Sequence, residues 1–179
     1  MKNEMKILYV YAHPEPKSFN AALKDTALDA LKEKGHEVKL SDLYAMKFHP
    51  GLKASDFPER KKPDVFNPFF EAILASKSGT FAPDIKEEME KVKWADLIIF
   101  QFPIYFTAMS AIMKGWIDRV LAPGFGFNPI TNSAYDYRSL QRKVHNACHY
   151  HRISKGDVFR RRGARRPEQT SRIHNSLRL

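Results

Sequence analysis

The chain has 179 residues with 43% hydrophobic content, enough for one domain with a real core and not comfortably for two. A single cysteine, Cys148, rules out an internal disulfide, and no apolar run is long enough to span a bilayer or to read as a signal peptide, so a cytoplasmic protein with no membrane partner is expected. The formal charge of +10 would suggest nucleic acid as partner, but residues 1–137 carry 18 basic and 18 acidic side chains and residues 138–179 carry 12 and 2, so the excess lies wholly in the tail.

Lys6 to Tyr11 is apolar and β-rich and reads as a first strand, running into the loop A-H-P-E-P-K-S-F-N that ends at Asn20. Ser18 is a natural N-cap for a helix whose apolar positions Leu23, Ala27, Leu28 and Leu31 share one face, and Gly35 stops it. A helix N-terminus at the carboxyl end of a strand offers free backbone N–H groups and the positive end of the helix dipole. His13, Lys17 and Ser18 add donors there, so a phosphate or pyrophosphate is the expected guest, although a hydrogen-bonded strand-end histidine would also account for His13. Glu37 to Leu43 alternates like an outer strand, which makes a right-handed strand-helix-strand unit and sets the class as α/β. From Tyr44 to Ala82 periodicity is poor and proline frequent. Phe66, Phe69, Phe70 and Ile73 there suggest a partly helical excursion that packs on the domain or on a partner subunit. Asp84 to Val92 reads as a charged helix.

The stretch from Trp94 to Leu121 organises the rest. Leu97 to Phe102 is nearly all apolar and reads as a strand buried on both faces at the centre of a parallel sheet. Pro103 ends it. After a short I-Y-F-T loop, Met109, Ile112, Met113, Trp116, Ile117 and Val120 recur at helical spacing. Ligands of open α/β sheets sit beyond the carboxyl ends of strands, which is where Pro103, Ile104, Tyr105 and Phe106 fall. Their character suits a flat ring system, the alternative being that they only cover the end of the core. Pro123 to Asn132 is a turn-rich loop with Phe125 and Phe127, expected at the same edge as the Pro103 loop, where it would wall a pocket.

Five stretches carry a family resemblance: Y-A-H-P-E-P-K-S-F-N, S-D-L-Y-A-M, A-D-L-I-I-F-Q-F-P-I-Y, K-G-W-I-D-R-V and G-F-G-F-N. Over residues 5–137 the chain resembles the NAD(P)H:quinone oxidoreductases of DT-diaphorase type, flavodoxin-like enzymes that use FAD. The resemblance implies a doubly wound parallel sheet, incomplete in its C-terminal part. It also implies hydride transfer from NAD(P)H to FAD and then to a quinone, in a homodimer. It places His13, Lys17, Ser18, Phe19 and Asn20 on the FAD phosphates and Pro103, Ile104, Tyr105 and Phe106 against the isoalloxazine. Phe127, with Phe106, lines the slot where nicotinamide and quinone alternate, and that slot is completed across the homodimer. Phe106 stands where a tryptophan is usual and Thr107 where a phenylalanine is usual, which leaves the identity of the quinone open.

Family members continue with a strand ending T-T-G-G and then supply a Tyr and a His that support hydride transfer. None of these motifs occurs in this sequence, so no catalytic residue is assigned. Read one nucleotide late, the codons of His149-Tyr150-His151-Arg152 are restricted to Thr or Ile three times and then permit Gly. Those of Gly156-Asp157-Val158-Phe159 permit Glu, Met, Tyr and Ser, and those of Arg162, Ala164, Arg165 and Arg166 permit Gly, His, Gly and Asp. These matches fall in family order. With the charge discontinuity, they make a shifted frame at or just before Arg138 the preferred account, with a flavodoxin-like domain over 1–137 and a poorly ordered basic tail over 138–179. Two other readings compete. One is a non-catalytic module whose Arg160-Arg161-Arg162 and Arg165-Arg166 contact nucleic acid; the other is a metal site from His145, His149 and His151, which the shifted frame explains without a metal.

Overall fold

The computed structural model describes residues 4–61 and 63–127. The elements follow in the order β1 (Lys6–Tyr11), α1 (Phe19–Glu33), β2 (Glu37–Asp42), α2 (Pro68–Ser78), α3 (Pro83–Trp94), β3 (Leu97–Gln101), β4 (Ile104–Tyr105), β5 (Ala108–Met109) and α4 (Ala111–Val120). β2, β1 and β3 form a parallel sheet in that spatial order, with Tyr9 opposite Leu40 on one side and Ile99 on the other. The crossover from β2 to β3 therefore passes over β1, as in the first half of a doubly wound sheet.

Side chains alternate across β1, and the two sets pack differently. Leu8 and Val10, with Ile98 of β3, join Ile85, Met89 and Val92 of α3 and Met113, Trp116 and Val120 of α4 in one buried cluster. Tyr9, Ile99 and Gln101 face α1 instead, and an apolar groove of about 270 Å³ runs between them and Leu23, Ala27 and Leu31. This face of β3 is thus only partly covered among the described residues.

The helix ends follow local sequence. Ser18 Oγ accepts the Ala21 N–H at 3.1 Å, and Gly35, which follows α1, takes the left-handed φ of 85° that a side chain disfavours. Asn67 caps α2 through the Phe70 N–H at 3.3 Å.

Between β2 and α2 the chain is held by a buried cation. Arg119 is 1% exposed and Asp56 0%. The guanidinium donates to both Asp56 oxygens, at 2.8 and 3.0 Å, to Asp84 at 2.8 Å and to the His49 carbonyl at 2.9 Å. Beside it, Gly115 lets the loop touch α4: a Cβ there would lie 2.2 Å from the Pro50 carbonyl oxygen. The excursion after β2 is therefore a packed segment that holds a 3-10 turn, Ala54–Asp56, and the α-helix α2.

Two details differ from the sequence reading. The I-Y-F-T loop is the tip of a two-stranded antiparallel hairpin, with Ile104 opposite Met109 and Tyr105 opposite Ala108. The loop carrying Phe125 and Phe127 does not share an edge with Pro103. α4 leaves the carboxyl edge of the sheet and runs ten residues back, about 15 Å of rise, so the loop lies at its far end. There the Phe125 ring lies 5.8 Å from Lys93 Nζ at the end of α3.

Candidate functional site

The carboxyl edge of the sheet gathers two groups of side chains. The first is the loop from β1 into α1. Glu15 organises it: its N–H donates to His13 Nδ1 at 3.1 Å, and its carboxylate accepts the Lys17 N–H at 2.8 Å. His13 is half-buried and Lys17 exposed, so both donors stand at the surface beside the α1 N-terminus. Phe19 is 55% exposed and Asn20 half-buried. The arrangement fits an anion, because the first N–H groups of a helix lack intrahelical acceptors and face outward. Burial pushes the Tyr11 phenol above its usual range, Asp42, Asp25 and Tyr105 add to the shift, and the hydroxyl is buried without a hydrogen-bond partner among the described residues. Tyr11 thus marks the meeting point of all three strand ends.

The second group is the β4–β5 hairpin. Pro103 and Ile104 are half-buried, Tyr105 is 39% exposed and Phe106 103% exposed. Phe106 also has φ of 60°, a left-handed conformation uncommon for a bulky residue. Two residues, Phe106 and Thr107, close the hairpin, and so tight a turn demands positive φ. The fold thereby holds an aromatic ring fully in water at the strand end where ligands bind, an arrangement that strain at functional sites typifies. The Tyr105 phenol is raised, first by burial and then by Tyr44 from the loop after β2.

Sequence reasoning missed Gln101. It is 3% exposed, and its Nε2 donates to the Asn20 carbonyl at 2.7 Å while its Oε1 accepts the Tyr9 hydroxyl. The signal was present as a lone amide in the apolar run L-I-I-F-Q-F. Burial pushes the Tyr9 phenol up to about 12, with Tyr11 adding to the effect.

Phe127 lines a different cleft, of about 380 Å³, with Leu52, Phe57, Phe69, Ile117 and Leu121. Phe106 is not part of it, so one chain does not bring the two phenylalanines together. Nearby, Val65, Phe66, Phe69 and Phe70 are 37–66% exposed. Among the described residues no group of His, Cys, Asp and Glu has the arrangement of a metal site, and no helix is long and apolar enough to cross a membrane. The histidines at 145, 149 and 151, the arginine-rich tail and the proposed frame boundary lie outside the described residues.

A family model described as "Flavodoxin-like fold" matches residues 5–148. The chain belongs to that family. It is 47% identical over 140 residues to human ribosyldihydronicotinamide dehydrogenase [quinone], covering 78% of this chain and 60% of that protein. With rat NAD(P)H dehydrogenase [quinone] 1 it shares 46% over 139 residues, 77% of this chain and 50% of the relative. A solved structure from Klebsiella pneumoniae matches with a TM-score of 0.65 at 48% identity, over 69% of this chain and 47% of its own. The resemblance to the NAD(P)H:quinone oxidoreductases and the flavodoxin-like α/β class are therefore borne out, and the chain spans 60% or less of the length of these relatives.

Proposed function

We propose that this chain is the flavin-binding part of an FAD-dependent NAD(P)H:quinone oxidoreductase, a cytoplasmic homodimer in its complete form. The observation that carries the reading is the exposed Phe106 ring at φ 60°, held at the carboxyl end of β3 beside the N-terminus of α1. An anion site and an aromatic platform on one edge suit a ligand with a phosphate at one end and a flat ring at the other. Names of relatives support the reaction class: one is a ribosyldihydronicotinamide and the other an NAD(P)H dehydrogenase, both acting on quinones.

When bound, the flavin supplies the hydride-accepting and hydride-donating ring. The chain's share is to bind and orient. The α1 N-terminus, with His13, Lys17, Ser18, Phe19 and Asn20, takes the phosphates, and Pro103, Ile104, Tyr105 and Phe106 lie against the ring. Phe106 bounds the space in which nicotinamide and quinone stack in turn, so that each meets the ring in a near-attack orientation. Phe127 of a second protomer completes the slot. That assignment agrees with its separation from Phe106 in one chain and with the exposed phenylalanines near its cleft.

Titration of the purified chain with FAD, followed by flavin fluorescence, tests the reading. Saturable quenching that is lost in Phe106→Asp and in Ser18→Pro is expected. A chain that leaves FAD fluorescence unchanged at millimolar protein would overturn it.

A further inference from the structure

Gln101 has hydrogen bonds of fixed polarity. The Asn20 carbonyl only accepts, so the amide Nε2 must face it, at 2.7 Å, and Oε1 is left to accept the Tyr9 hydroxyl. Tyr9 and Gln101 are each 3% exposed, so the bond between them is shielded from competing water, while the bond to the half-buried Asn20 is partly so. The three residues come from three elements: Tyr9 from β1, Gln101 from the end of β3 and Asn20 from the first turn of α1.

The position of this bond matters because of what surrounds it. Along most of its length α1 is not packed tightly on β3, since the groove of about 270 Å³ separates Leu23, Ala27 and Leu31 from Ile99. At its first turn α1 is tied by this buried amide to β3. That turn forms the anion end of the site, and two residues beyond Gln101 the chain enters the hairpin that forms the ring end. One side chain thus stands between the two halves.

We propose that Gln101, oriented by Tyr9, is a positioning residue that sets the separation of the α1 anion site from the β4–β5 aromatic platform, so that a single flavin nucleotide reaches both. The inference rests on the flavin reading above. A ligand that must make both contacts at once loses the advantage of the second when the spacing is wrong, whereas a ligand using one contact is indifferent to the spacing.

The test compares ligands of different span on the 179-residue chain. FAD occupies both halves, inorganic pyrophosphate only the anion end, and lumiflavin only the ring end. Gln101→Leu removes both hydrogen bonds at similar volume and is expected to weaken FAD at least tenfold while pyrophosphate and lumiflavin change less than about threefold. Gln101→Glu, which has no donor for the Asn20 carbonyl, should behave in the same way. Tyr9→Phe keeps the Asn20 bond and the buried ring, so it should fold even if the Gln101 variants do not, and should weaken FAD by about threefold with the two half-ligands unchanged. FAD affinity within twofold of the parent in all three variants overturns the inference and leaves the flavin reading standing. Parallel losses for all three ligands overturn it too, because they mark a general loss of structure. A parent chain that binds pyrophosphate and no flavin sinks the flavin reading, and the inference with it.

Discussion

Arg119→Met isolates what the buried ionic cluster contributes. In the native chain the guanidinium is 1% exposed and makes four hydrogen bonds, two of them a fork on Asp56. Methionine fills much of the space and makes none. Asp56, 0% exposed, would then keep the Lys53 N–H at 3.1 Å as a donor for a carboxylate that stays buried. Removing one partner of a buried ion pair costs about 3–5 kcal/mol, because the remaining charge is left without compensation. Against a total of about 5–15 kcal/mol, that is a large share of the domain's stability. Urea denaturation followed by tryptophan fluorescence should show a lower midpoint with little change in slope. Arg119→Lys should recover only part of the loss, since an ammonium cannot reproduce the fork. Lys114→Met, which breaks an exposed pair with Asp118 on the same helix, should cost about 0.5 kcal/mol or less. If Arg119→Met cost no more than Lys114→Met, the cluster would not be what holds the loop after β2 in place.

Three further outcomes follow from other sites. The Tyr9 phenol, raised to about 12, gives stability that is fully present below its unfolded value near 10 and is lost as the pH rises through 12. The loss is on the order of 2–3 kcal/mol at about 1.4 kcal/mol per unit, and a pH series of thermal melts should show it shrink in Tyr9→Phe. Gly115→Ala should lower stability by about 1–3 kcal/mol, because its Cβ would sit 2.2–2.6 Å from three Pro50 backbone atoms; an unchanged melting temperature would count against that packing. Phe106→Ala should leave the melting temperature unchanged, since the ring is 103% exposed, while it weakens FAD binding; an equal loss of both would mean that the ring is structural.

What the sequence made legible was whatever is decided locally. β1 begins and ends where the run Lys6 to Tyr11 does, because apolar residues and the following loop set its limits. α1 is legible from its Ser18 cap and its Gly35 stop. The rest depends on partners far along the chain. Arg119 pairs with Asp56 and Asp84 across 63 and 35 residues, and nothing near it signals that it is buried. Gln101 reaches Asn20 across 81 residues, so its partner leaves no trace in the local pattern. The hairpin at Phe106 is too short to show a period, and a phenylalanine at positive φ carries no turn signature. The edge on which Phe125 lies follows from the direction and length of α4, which the pattern of apolar positions did not fix. Of the proposed site, the cap after β1 was readable from Ser18. The aromatics of the proposed ring end stand after Pro103 as expected, but the amide between the two ends was not readable.

We propose that residues up to about Tyr137 belong to the flavin-binding part of a quinone reductase and that the codons from about Arg138 carry its remaining contacts in the neighbouring reading frame. Steady-state NADH oxidation with menadione and added FAD, run on the 179-residue chain and on one with the codons from about Arg138 restored to that frame, tests it most directly. Losing three or four hydrogen bonds to the ring edge, each about 0.5–1.5 kcal/mol, should weaken FAD by about two to three orders of magnitude. Losing the Tyr and His donors should cost about 10²–10³ more in rate. Little or no turnover from the 179-residue chain, with recovery in the restored one, is the predicted result. Full turnover from the 179-residue chain, or none from the restored one, would contradict the account.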